Sequence, residues 1–446
     1  MRSSCVVVLP CPHFLHVGIV VGLALGGCAR DAIDRDGLLD PATCAGCHPD
    51  QYREWASSAH AFASDDPVFA AIDRRGQREL GGALGPFCLG CHAPMAVRDG
   101  GVRAAVELAD QPRALRGVTC YFCHEPATVH GDHNAPIDLA DDGVMQGGFA
   151  DAVSTPAHAS ARSKFVEARD LTSSSLCGAC HDVVTPASVR IESTYVEWQG
   201  SIFGSPALGL SCSACHMLTR DGVAATGAGL PVRRVHDHTF PGLDVPLIPW
   251  PGSDDLHAEI ERDLGPSISS KMCVSPGKVE VTLDNVSVGH AWPSGVTHAR
   301  RAWVELVARQ GGQIVYESGV VAAGEDPADL TDSPWLMSSR FLGSDGAEVA
   351  MAWQAATEES NVLAPSVTTD PQDARFFHAV TRTFQVPAAD QIELHVRITP
   401  IGASVIRSLE SSGDLEPGFA ASVPVFELAP IARRWEAADG FGCAAH

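Results

Sequence analysis

The C-terminal part of the chain alternates apolar and polar residues, which is the pattern of half-buried β-strands. Turn residues such as Gly311-Gly312 separate the alternating segments. The segments are residues 278–286, 302–308, 313–316, 380–386 and 391–398. We therefore predict an antiparallel β-sandwich over residues 272–446.

The N-terminal part lacks this alternation and favours short helices and loops. Residues 49–63 and 160–168 are predicted to be helical. Residues 241–253 are rich in proline and glycine, which predicts a linker. Beyond the linker, apolar residues recur at the spacing of one helical face over residues 254–264, so we predict a short helix there.

The first residues have the architecture of an export signal. Residues 1–27 contain one arginine, no acidic residue and an apolar run at 14–25 that is too short to span a bilayer comfortably. The run is followed by Gly26-Gly27-Cys28, which resembles a bacterial lipobox. We predict that Cys28 is lipidated and holds the protein on the periplasmic side of a bacterial membrane or at the cell surface. An ordinary signal peptide with an incidental cysteine is the alternative.

The chain is acidic. Its 446 residues carry a formal net charge of −23, and loss of residues 1–27 would remove one arginine and no carboxylate. An acidic surface keeps a protein soluble, favours cationic partners and repels nucleic acid. The sequence has no basic patch with interleaved aromatic residues, so we expect no nucleic-acid binding.

Ten of the fifteen cysteines fall in five copies of one string, C-x-x-C-H. The motif cysteines are Cys44, Cys47, Cys88, Cys91, Cys120, Cys123, Cys177, Cys180, Cys212 and Cys215, and the motif histidines are His48, His92, His124, His181 and His216. This string is the attachment signature of c-type haem. Two thiols about one helical turn apart reach the two vinyl groups of one porphyrin, and the adjacent histidine ligates the iron. We therefore predict five covalently bound c-type haems.

Zinc sites or disulfides explain this spacing less well. A structural zinc site needs two cysteine pairs, or a pair and a histidine set, to share one metal, and it does not require a histidine after every second cysteine. Of the other cysteines, Cys5 and Cys11 leave with the signal and Cys28 is the predicted lipidation site. Cys273 and Cys443 remain, and we predict a disulfide between them. Two buried free thiols are the alternative.

All five motifs precede residue 241, so porphyrins would supply much of the core of that region. We expect a mainly helical, loop-rich domain with low regular secondary structure there, which makes the fold class α+β. The predicted divisions are a lipoprotein signal peptide at 1–27, a pentahaem cytochrome c domain at 28–240, a linker with a short helix at 241–271 and the β-sandwich domain at 272–446.

Each haem iron has a second axial position, which decides between electron transfer and chemistry at the metal. The candidate ligands outside the motifs are His60, His130, His133, His158, His236, His238 and His290. A lone histidine is usually a surface or hydrogen-bonded polar residue. Five irons that need partners favour a ligand role for several of these residues. Met95 and Met145 are the alternative ligands.

A short pattern, Y-x-E-W-x-x-S, occurs twice, at residues 52–58 and 195–201. Two residues after the serine stand His60 in the first copy and Phe203 in the second. An aromatic helix packed on a porphyrin face accounts for both copies but leaves His60 unexplained. We expect His60 and His48 to bind different irons, because one predicted helix separates them.

Several of these strings resemble the multihaem cytochrome c superfamily, which includes hydroxylamine oxidoreductase and its tetrahaem electron-accepting partner. The similar strings lie within residues 43–300 and are C-A-G-C-H-x-x-x-Y-x-x-W-x-x-S-x-H, G-V-T-C-Y-F-C-H, S-L-C-G-A-C-H-D-V, Y-V-E-W-Q-G-S, H-D-H-T-F-P-G and N-V-S-V-G-H-A-W-P-S-G-V-T-H. The resemblance implies closely packed haems, many of them with two histidine ligands. By position it implies these distal ligands: His60, His158, His238 and His290, with His130 or His133 serving the remaining iron.

Two departures separate the chain from known enzymes of this kind. Pentahaem nitrite reductases use a C-x-x-C-K haem as the catalytic centre, whereas every motif here ends in histidine. Hydroxylamine oxidoreductase has more haems and a haem cross-linked to a tyrosine, and nothing marks an equivalent among the four tyrosines here.

The leading hypothesis is an exported, lipid-anchored pentahaem electron-transfer protein with redox partner proteins in the cell envelope. The second is an oxidoreductase with one five-coordinate haem that acts on a small nitrogen or sulfur compound. A third is a structural role in a conductive filament, against which the lipid anchor and the large β-domain argue.

Overall fold

The structure is a computed structural model that describes residues 32–443. The predicted signal peptide and the predicted lipidation site, Cys28, lie outside the described residues. Within the described part, no helix has both the length and the apolar character needed to cross a membrane.

The α-helices of the described chain are short, and most precede residue 220. They are α1 (Arg35–Leu39), α2 (Pro41–Cys44), α3 (Pro49–Ser57), α4 (Ala59–Phe62), α5 (Pro67–Glu79), α6 (Leu89–His92), α7 (Pro94–Arg98), α8 (Cys120–His124), α9 (Ser173–Gly178), α10 (Thr194–Gly200), α11 (Cys212–His216), α12 (Ser253–Leu264) and α13 (Ala403–Ser411). Short 3-10 helices occur at Ala105–Asp110, Arg113–Leu115, Pro327–Asp329, Ala352–Gln354, Ala374–Phe376, Phe419–Ala421, Ala429–Ile431 and Ala437–Asp439.

The longer β-strands follow residue 268. The strands are β1 (Pro126–Val129), β2 (Ile137–Leu139), β3 (Val144–Gly147), β4 (Ala159–Arg162), β5 (Val183–Val184), β6 (Arg190–Glu192), β7 (Thr219–Gly222), β8 (Arg233–His236), β9 (Ser269–Ser275), β10 (Lys278–Asp284), β11 (Arg301–Gln310), β12 (Gln313–Ser318), β13 (Leu336–Met337), β14 (Ser339–Leu342), β15 (Glu348–Val349), β16 (Thr357–Ser360), β17 (Val380–Gln385), β18 (Gln391–Thr399), β19 (Phe426–Glu427), β20 (Arg433–Glu436) and β21 (Gly442–Cys443). The predicted mixed α+β class is confirmed.

Before residue 240 the strands form only small pairs: β1 with β2, β3 with β4, β5 with β6 and β7 with β8. These pairs are too small to enclose a core of their own. The apolar residues gather instead in separate clusters, such as one around Leu38, Met95 and Tyr121 and another around Phe69 and Leu89. The predicted low content of regular structure is not confirmed, because helices and strands are as numerous here as after residue 240.

Two helical predictions in this region need correction. The predicted helix over residues 49–63 is interrupted at Ser58, whose backbone is extended and whose side chain caps α4 by accepting from the amide of Ala61. Residues 159–162 form strand β4 rather than a helix, because they pair in parallel with β3. Tertiary pairing therefore outweighs the local helix propensity of this alanine- and serine-rich segment.

The C-terminal region contains two larger antiparallel sheets. Their strand orders are β17-β10-β9-β21 and β12-β11-β18-β19, with β13 joined to β11 and β20 joined to β18. Alternate side chains of β10 and β18 are buried, in agreement with the sequence pattern. Val281 and Leu283 from the first sheet share one hydrophobic cluster with Val304 and Leu394 from the second. The two sheets therefore enclose a common core.

The segment predicted as a linker packs against the haem-motif region. The indole nitrogen of Trp250 donates to the carbonyl oxygen of Ala56 at 2.8 Å, and the Arg113 guanidinium lies 5.1 Å from the centre of the Trp250 ring. Helix α12 then buries Leu256 and Ile260 in the core of the sheets. The division of the chain into domains stays a prediction.

A disulfide joins Cys273 on β9 to Cys443 on β21, with a sulfur–sulfur distance of 2.03 Å. The two cysteines are 170 residues apart in sequence. Such a link stabilises the fold mainly by restricting the unfolded chain, and the restriction grows with loop length.

A buried carboxylate holds several C-terminal elements together. Asp326 is fully buried and accepts hydrogen bonds from Arg301 Nε at 3.1 Å and from the amide and hydroxyl of Ser404 at 2.9 and 2.6 Å. A side chain at Gly402 would collide with this carboxylate, so glycine is required there. Burial raises the pKa of Asp326, but Arg301 and the hydrogen bonds outweigh burial and hold the pKa below its usual value.

Replacing Asp326 with alanine is expected to lower the free energy of unfolding by about 3–5 kcal/mol, because Arg301 would keep a buried, unpaired charge. Urea unfolding of the haem-loaded protein, followed by far-ultraviolet circular dichroism, measures the loss. The control is Asp329→Ala, which removes an exposed partner of Arg407 and should change the stability by at most about 1 kcal/mol. Equal stability of the two variants would contradict the prediction.

The stabilisation by Asp326 depends on pH. It is present above the unfolded-state pKa of about 3.9 and is lost as the pH falls through the lower folded-state pKa.

Candidate haem-binding sites

Each C-x-x-C-H motif lies on a single helical turn. The amide of the motif histidine bonds the carbonyl of the first cysteine in the same motif, as between His48 and Cys44 at 2.7 Å and between His181 and Cys177 at 2.9 Å. One turn places the two thiols on the same side of the backbone. The local structure therefore suits attachment of one porphyrin by two thioether bonds.

The motifs line one connected internal space of about 2880 Å³. A single small-molecule site usually occupies roughly 300–1,000 Å³, so this space has room for several large ligands. All ten motif cysteines and all five motif histidines line it. Its walls include the aromatic side chains of Trp55, Phe62, Phe69, Phe122 and Trp198. The donor set, the volume and the apolar walls fit c-type haem.

Four motif histidines face a second histidine ring. The ring centres are 6.3 Å apart for His48 and His158, 6.2 Å for His181 and His60, 6.4 Å for His124 and His238, and 6.3 Å for His216 and His290. A metal–imidazole bond is about 2 Å long and the ring centre lies about 1 Å behind the nitrogen, so two rings that share one metal have centres roughly 6 Å apart. The four spacings match that distance.

Hydrogen bonds at Nδ1 orient most of these rings. The Nδ1 atoms of His48 and His216 are 2.7 and 2.9 Å from the carbonyl oxygens of Ala224 and Pro241. Three rings opposite the motif histidines make similar contacts with nearby carbonyls: His158 with Ala159, His238 with His236 and His290 with Ala291, at 2.9–3.0 Å. A ring that donates from Nδ1 presents Nε2 as the ligand atom.

Burial favours the neutral form of His60, His238 and His290, which metal binding requires. Burial, followed by the charge of His181, lowers the pKa of His60 to about 3. Burial lowers the pKa of His238 and of His290 to about 4. For His181, burial also lowers the pKa, but the hydrogen bond and charge of Glu192 dominate and raise it to about 9. Sequence reasoning missed Glu192, because it lies on β6, away from any haem motif.

The second motif differs from the other four. Among the residues that the structure describes, no histidine ring lies opposite His92. The ring of Phe69 instead stacks on His92, with centres 4.0 Å apart and planes 5° apart. The Nδ1 atom of His92 is 3.4 Å from the carbonyl oxygen of Ala63.

The resemblance assigned His130 or His133 to this remaining iron, and the structure does not support that assignment. His130 Nε2 bonds Asp138 at 2.5 Å and His133 Nδ1 bonds Asp132 at 2.6 Å, and all four side chains are more than a third exposed. Neither histidine lines the internal space. The β1–β2 hairpin keeps both rings at the surface, where Asp138 and Asp132 bond them.

The other candidates lie near the motifs without facing a motif histidine. His236 lines the internal space, and its Nδ1 is 2.7 Å from the carbonyl oxygen of Met217. Met145 also lines the space. Met95 is fully buried in the apolar cluster with Leu38 and Tyr121, away from the lining.

Thiols from different motifs are close enough to shift each other's pKa. The pairs are Cys44 with Cys120, Cys91 with Cys180 and Cys212 with Cys177, and in each pair the contact lowers the pKa of the first thiol and raises that of the second. The pKa of Cys180, raised by Cys91 and by burial, is raised further by Cys123. The fourth motif therefore neighbours the second, third and fifth motifs, and the third neighbours the first.

Replacing both Cys212 and Cys215 with serine is expected to reduce the intact mass of the protein by one haem. The fifth motif suits the test because helix α11 contains no buried residue, so replacing its two thiols removes little packing. Intact-protein mass spectrometry, checked by a pyridine haemochrome assay, measures the loss. The control is the double replacement of Cys273 and Cys443 by serine, which should leave the haem mass unchanged. An unchanged mass in the motif variant would contradict covalent attachment at this site.

Comparisons with known proteins agree with these observations. A sequence profile of the family described as cytochrome c554 and c-prime matches residues 43–125, which contain the first three motifs. The crystal structure of a penta-heme cytochrome c552 from Thermochromatium tepidum has a similar fold, with a TM-score of 0.61, 21% sequence identity and coverage of 88% of this chain and 99% of that chain. No curated protein matches the chain in sequence. Neither similarity singles out hydroxylamine oxidoreductase. The motifs and the internal space indicate covalently bound c-type haem, and the profile match over residues 43–125 and the similar fold agree with this.

Proposed function

We propose that the chain is an exported, lipid-anchored pentahaem cytochrome that transfers electrons through closely spaced haems, most of them with two histidine ligands. Bound haem supplies an iron that gains and loses one electron. The count of five rests on the five C-x-x-C-H motifs, and the description of the similar structure as a penta-heme cytochrome agrees with it.

The four facing pairs of histidines carry this proposal. Their spacing of 6.2–6.4 Å leaves room for one metal between two Nε2 atoms. Two strong axial ligands close an iron to substrates, so these residues favour electron transfer over chemistry at the metal. The distal residues are His60, His158, His238 and His290.

Proximity of the motifs supports a connected path. Cysteines of the first and third motifs, of the second and fourth, and of the fourth and fifth lie beside each other, and Cys123 of the third motif is close enough to Cys180 of the fourth to raise its pKa. The five motifs therefore lie close together, as electron transfer from haem to haem requires.

The C-terminal region contributes directly to one site. His290 follows strand β10 and faces His216, which belongs to the fifth motif. We propose that residues 28–240 form the haem domain and residues 272–446 a β-sandwich domain, and that His290 fixes the second against the first.

The location and partners follow from the sequence. Residues 1–27 have the features of a signal, and Cys28 is placed for lipidation, so the membrane would be reached through lipid. The net charge of −23 favours redox partners in the cell envelope with basic docking surfaces.

Replacing His290 with alanine is expected to convert one low-spin haem to high spin, because one iron would lose its distal ligand. Electron paramagnetic resonance of the oxidised protein detects the change, and mass spectrometry should show an unchanged haem content. The control is His257→Ala on helix α12, a half-exposed histidine that does not line the internal space. A spectrum of the His290 variant that matches the wild type would refute the ligand assignment.

A second function is favoured by one observation at the second motif. His92 faces no histidine in the described part of the chain, and Phe69 stacks on its ring. A five-coordinate iron there would admit a small nitrogen or sulfur compound, which makes an oxidoreductase the alternative.

Carbon monoxide titration tests this alternative. If the second motif holds the only open iron, the reduced protein should bind about one carbon monoxide per chain, and His290→Ala should bind about two. Absorbance changes in the Soret band give the stoichiometry. Failure of the wild type to bind carbon monoxide would exclude the open site while leaving the electron-transfer proposal intact.

A further inference from the structure

The two Y-x-E-W segments, residues 52–58 and 195–201, make equivalent contacts with two different haem sites. Each segment forms most of a helix, α3 or α10, that starts beside a motif histidine. The amide of Tyr52 bonds the carbonyl oxygen of His48 at 2.9 Å, and the amide of Tyr195 bonds that of His181 at 3.3 Å. The first segment therefore starts at the first motif and the second segment at the fourth.

The tryptophan of each segment holds the start of another motif. Trp55 Nε1 donates to the carbonyl oxygen of Val118 at 2.8 Å, and Trp198 Nε1 donates to that of Leu210 at 2.9 Å. Val118 lies two residues before Cys120, and Leu210 lies two residues before Cys212. The two indoles therefore anchor the third and fifth motifs at the same position.

The glutamate of each segment holds the backbone at a distal histidine. Glu54 Oε2 accepts from the amide of His238 at 3.1 Å, and Glu197 Oε2 accepts from the amide of Ala291, directly after His290, at 3.0 Å. His238 faces the third-motif histidine, and His290 faces the fifth. Each segment therefore bonds the backbone on both sides of one haem site, before the motif and at the facing histidine.

The second oxygen of each glutamate has a different partner. Glu54 Oε1 pairs with Arg220, whereas Glu197 Oε1 accepts from the hydroxyl of Ser193 at 3.1 Å. Both carboxylates are therefore held from two directions, which restricts their motion. At the other end, the hydroxyls of Ser58 and Ser201 close the helices by donating to the tryptophan carbonyls at 2.7 and 2.8 Å.

We infer that Y-x-E-W-x-x-S is a duplicated positioning element, in which Glu54 sets the distal ligand His238 and Glu197 sets the distal ligand His290. The tryptophan fixes the attachment side of the same site, so one helix holds both axial ligands in register. The charged hydrogen bond from amide to carboxylate restrains the backbone at each distal ring. This inference rests on the proposed two-histidine ligation of the third and fifth haems.

Substitution of the glutamates in the haem-loaded protein tests the inference. In Glu197→Ala, the electron paramagnetic resonance signal that His290→Ala abolishes should shift or convert partly to high spin, while the other signals stay unchanged. Glu197→Gln keeps an oxygen acceptor and should restore the wild-type signal. Glu54→Ala and Glu54→Gln should behave in the same way toward the signal that His238→Ala abolishes.

Matched controls lie on the same helices. Val196→Ala removes a side chain beside Glu197 that is 37% exposed, and Arg53→Ala removes a side chain beside Glu54 that is 71% exposed. Neither should alter any haem signal. Mass spectrometry should find the same haem content in every variant.

The outcomes distinguish the positioning role of the glutamates from the proposed two-histidine ligation on which it rests. If His290→Ala and His238→Ala leave every signal unchanged, the two-histidine ligation fails and the inference falls with it. If those variants lose one signal each but Glu197→Ala and Glu54→Ala match the wild type, the positioning role alone is refuted. The positioning role is also refuted if a glutamate variant perturbs all haem signals equally or loses haem, because the effect would then be general destabilisation.

Discussion

The proposed two-histidine ligation requires two imidazole rings to meet from opposite sides at a fixed distance, and four pairs of rings have the spacing that it needs. The rings of each facing pair come from distant parts of the chain, such as His48 with His158 and His216 with His290. Each partner must be held by its own local structure, since a ligand displaced by about 1 Å no longer reaches the metal. Most of the rings are held in place by a hydrogen bond between Nδ1 and a backbone carbonyl oxygen.

Local patterns predicted the parts of the structure that depend on local physics. The alternation over residues 278–286 and 391–398 identified β10 and β18, because each strand buries one face against a shared core. The C-x-x-C-H strings identified the attachment sites, because thiol spacing and helical pitch are both local. The spacing of Leu256 and Ile260 likewise identified helix α12.

Features that depend on distant contacts were less accessible from sequence. Residues 159–162 have helical composition, yet pairing with β3 makes them a strand. The choice of His238 over His236 depends on which ring faces His124, and spacing along the chain does not encode that direction. His130 lies at the surface because it belongs to the β1–β2 hairpin and bonds a carboxylate. The number of histidines in the sequence does not show this position.

The duplicated segments show how a region of short helices and paired strands can fix the positions of histidine rings. Sheets and long helices usually supply rigidity, but the strands before residue 240 are short and form only pairs. Here a buried indole and the neighbouring carboxylate on one helical turn supply the rigidity. Each of them fixes a backbone group beside a haem site. The sequence contained this signal in the repeat Y-x-E-W-x-x-S, but only the contacts reveal that tryptophan and glutamate act on opposite sides of the same site. The simpler interpretation, an aromatic helix against a porphyrin, accounts for the ring residues and leaves the two glutamates without a reason.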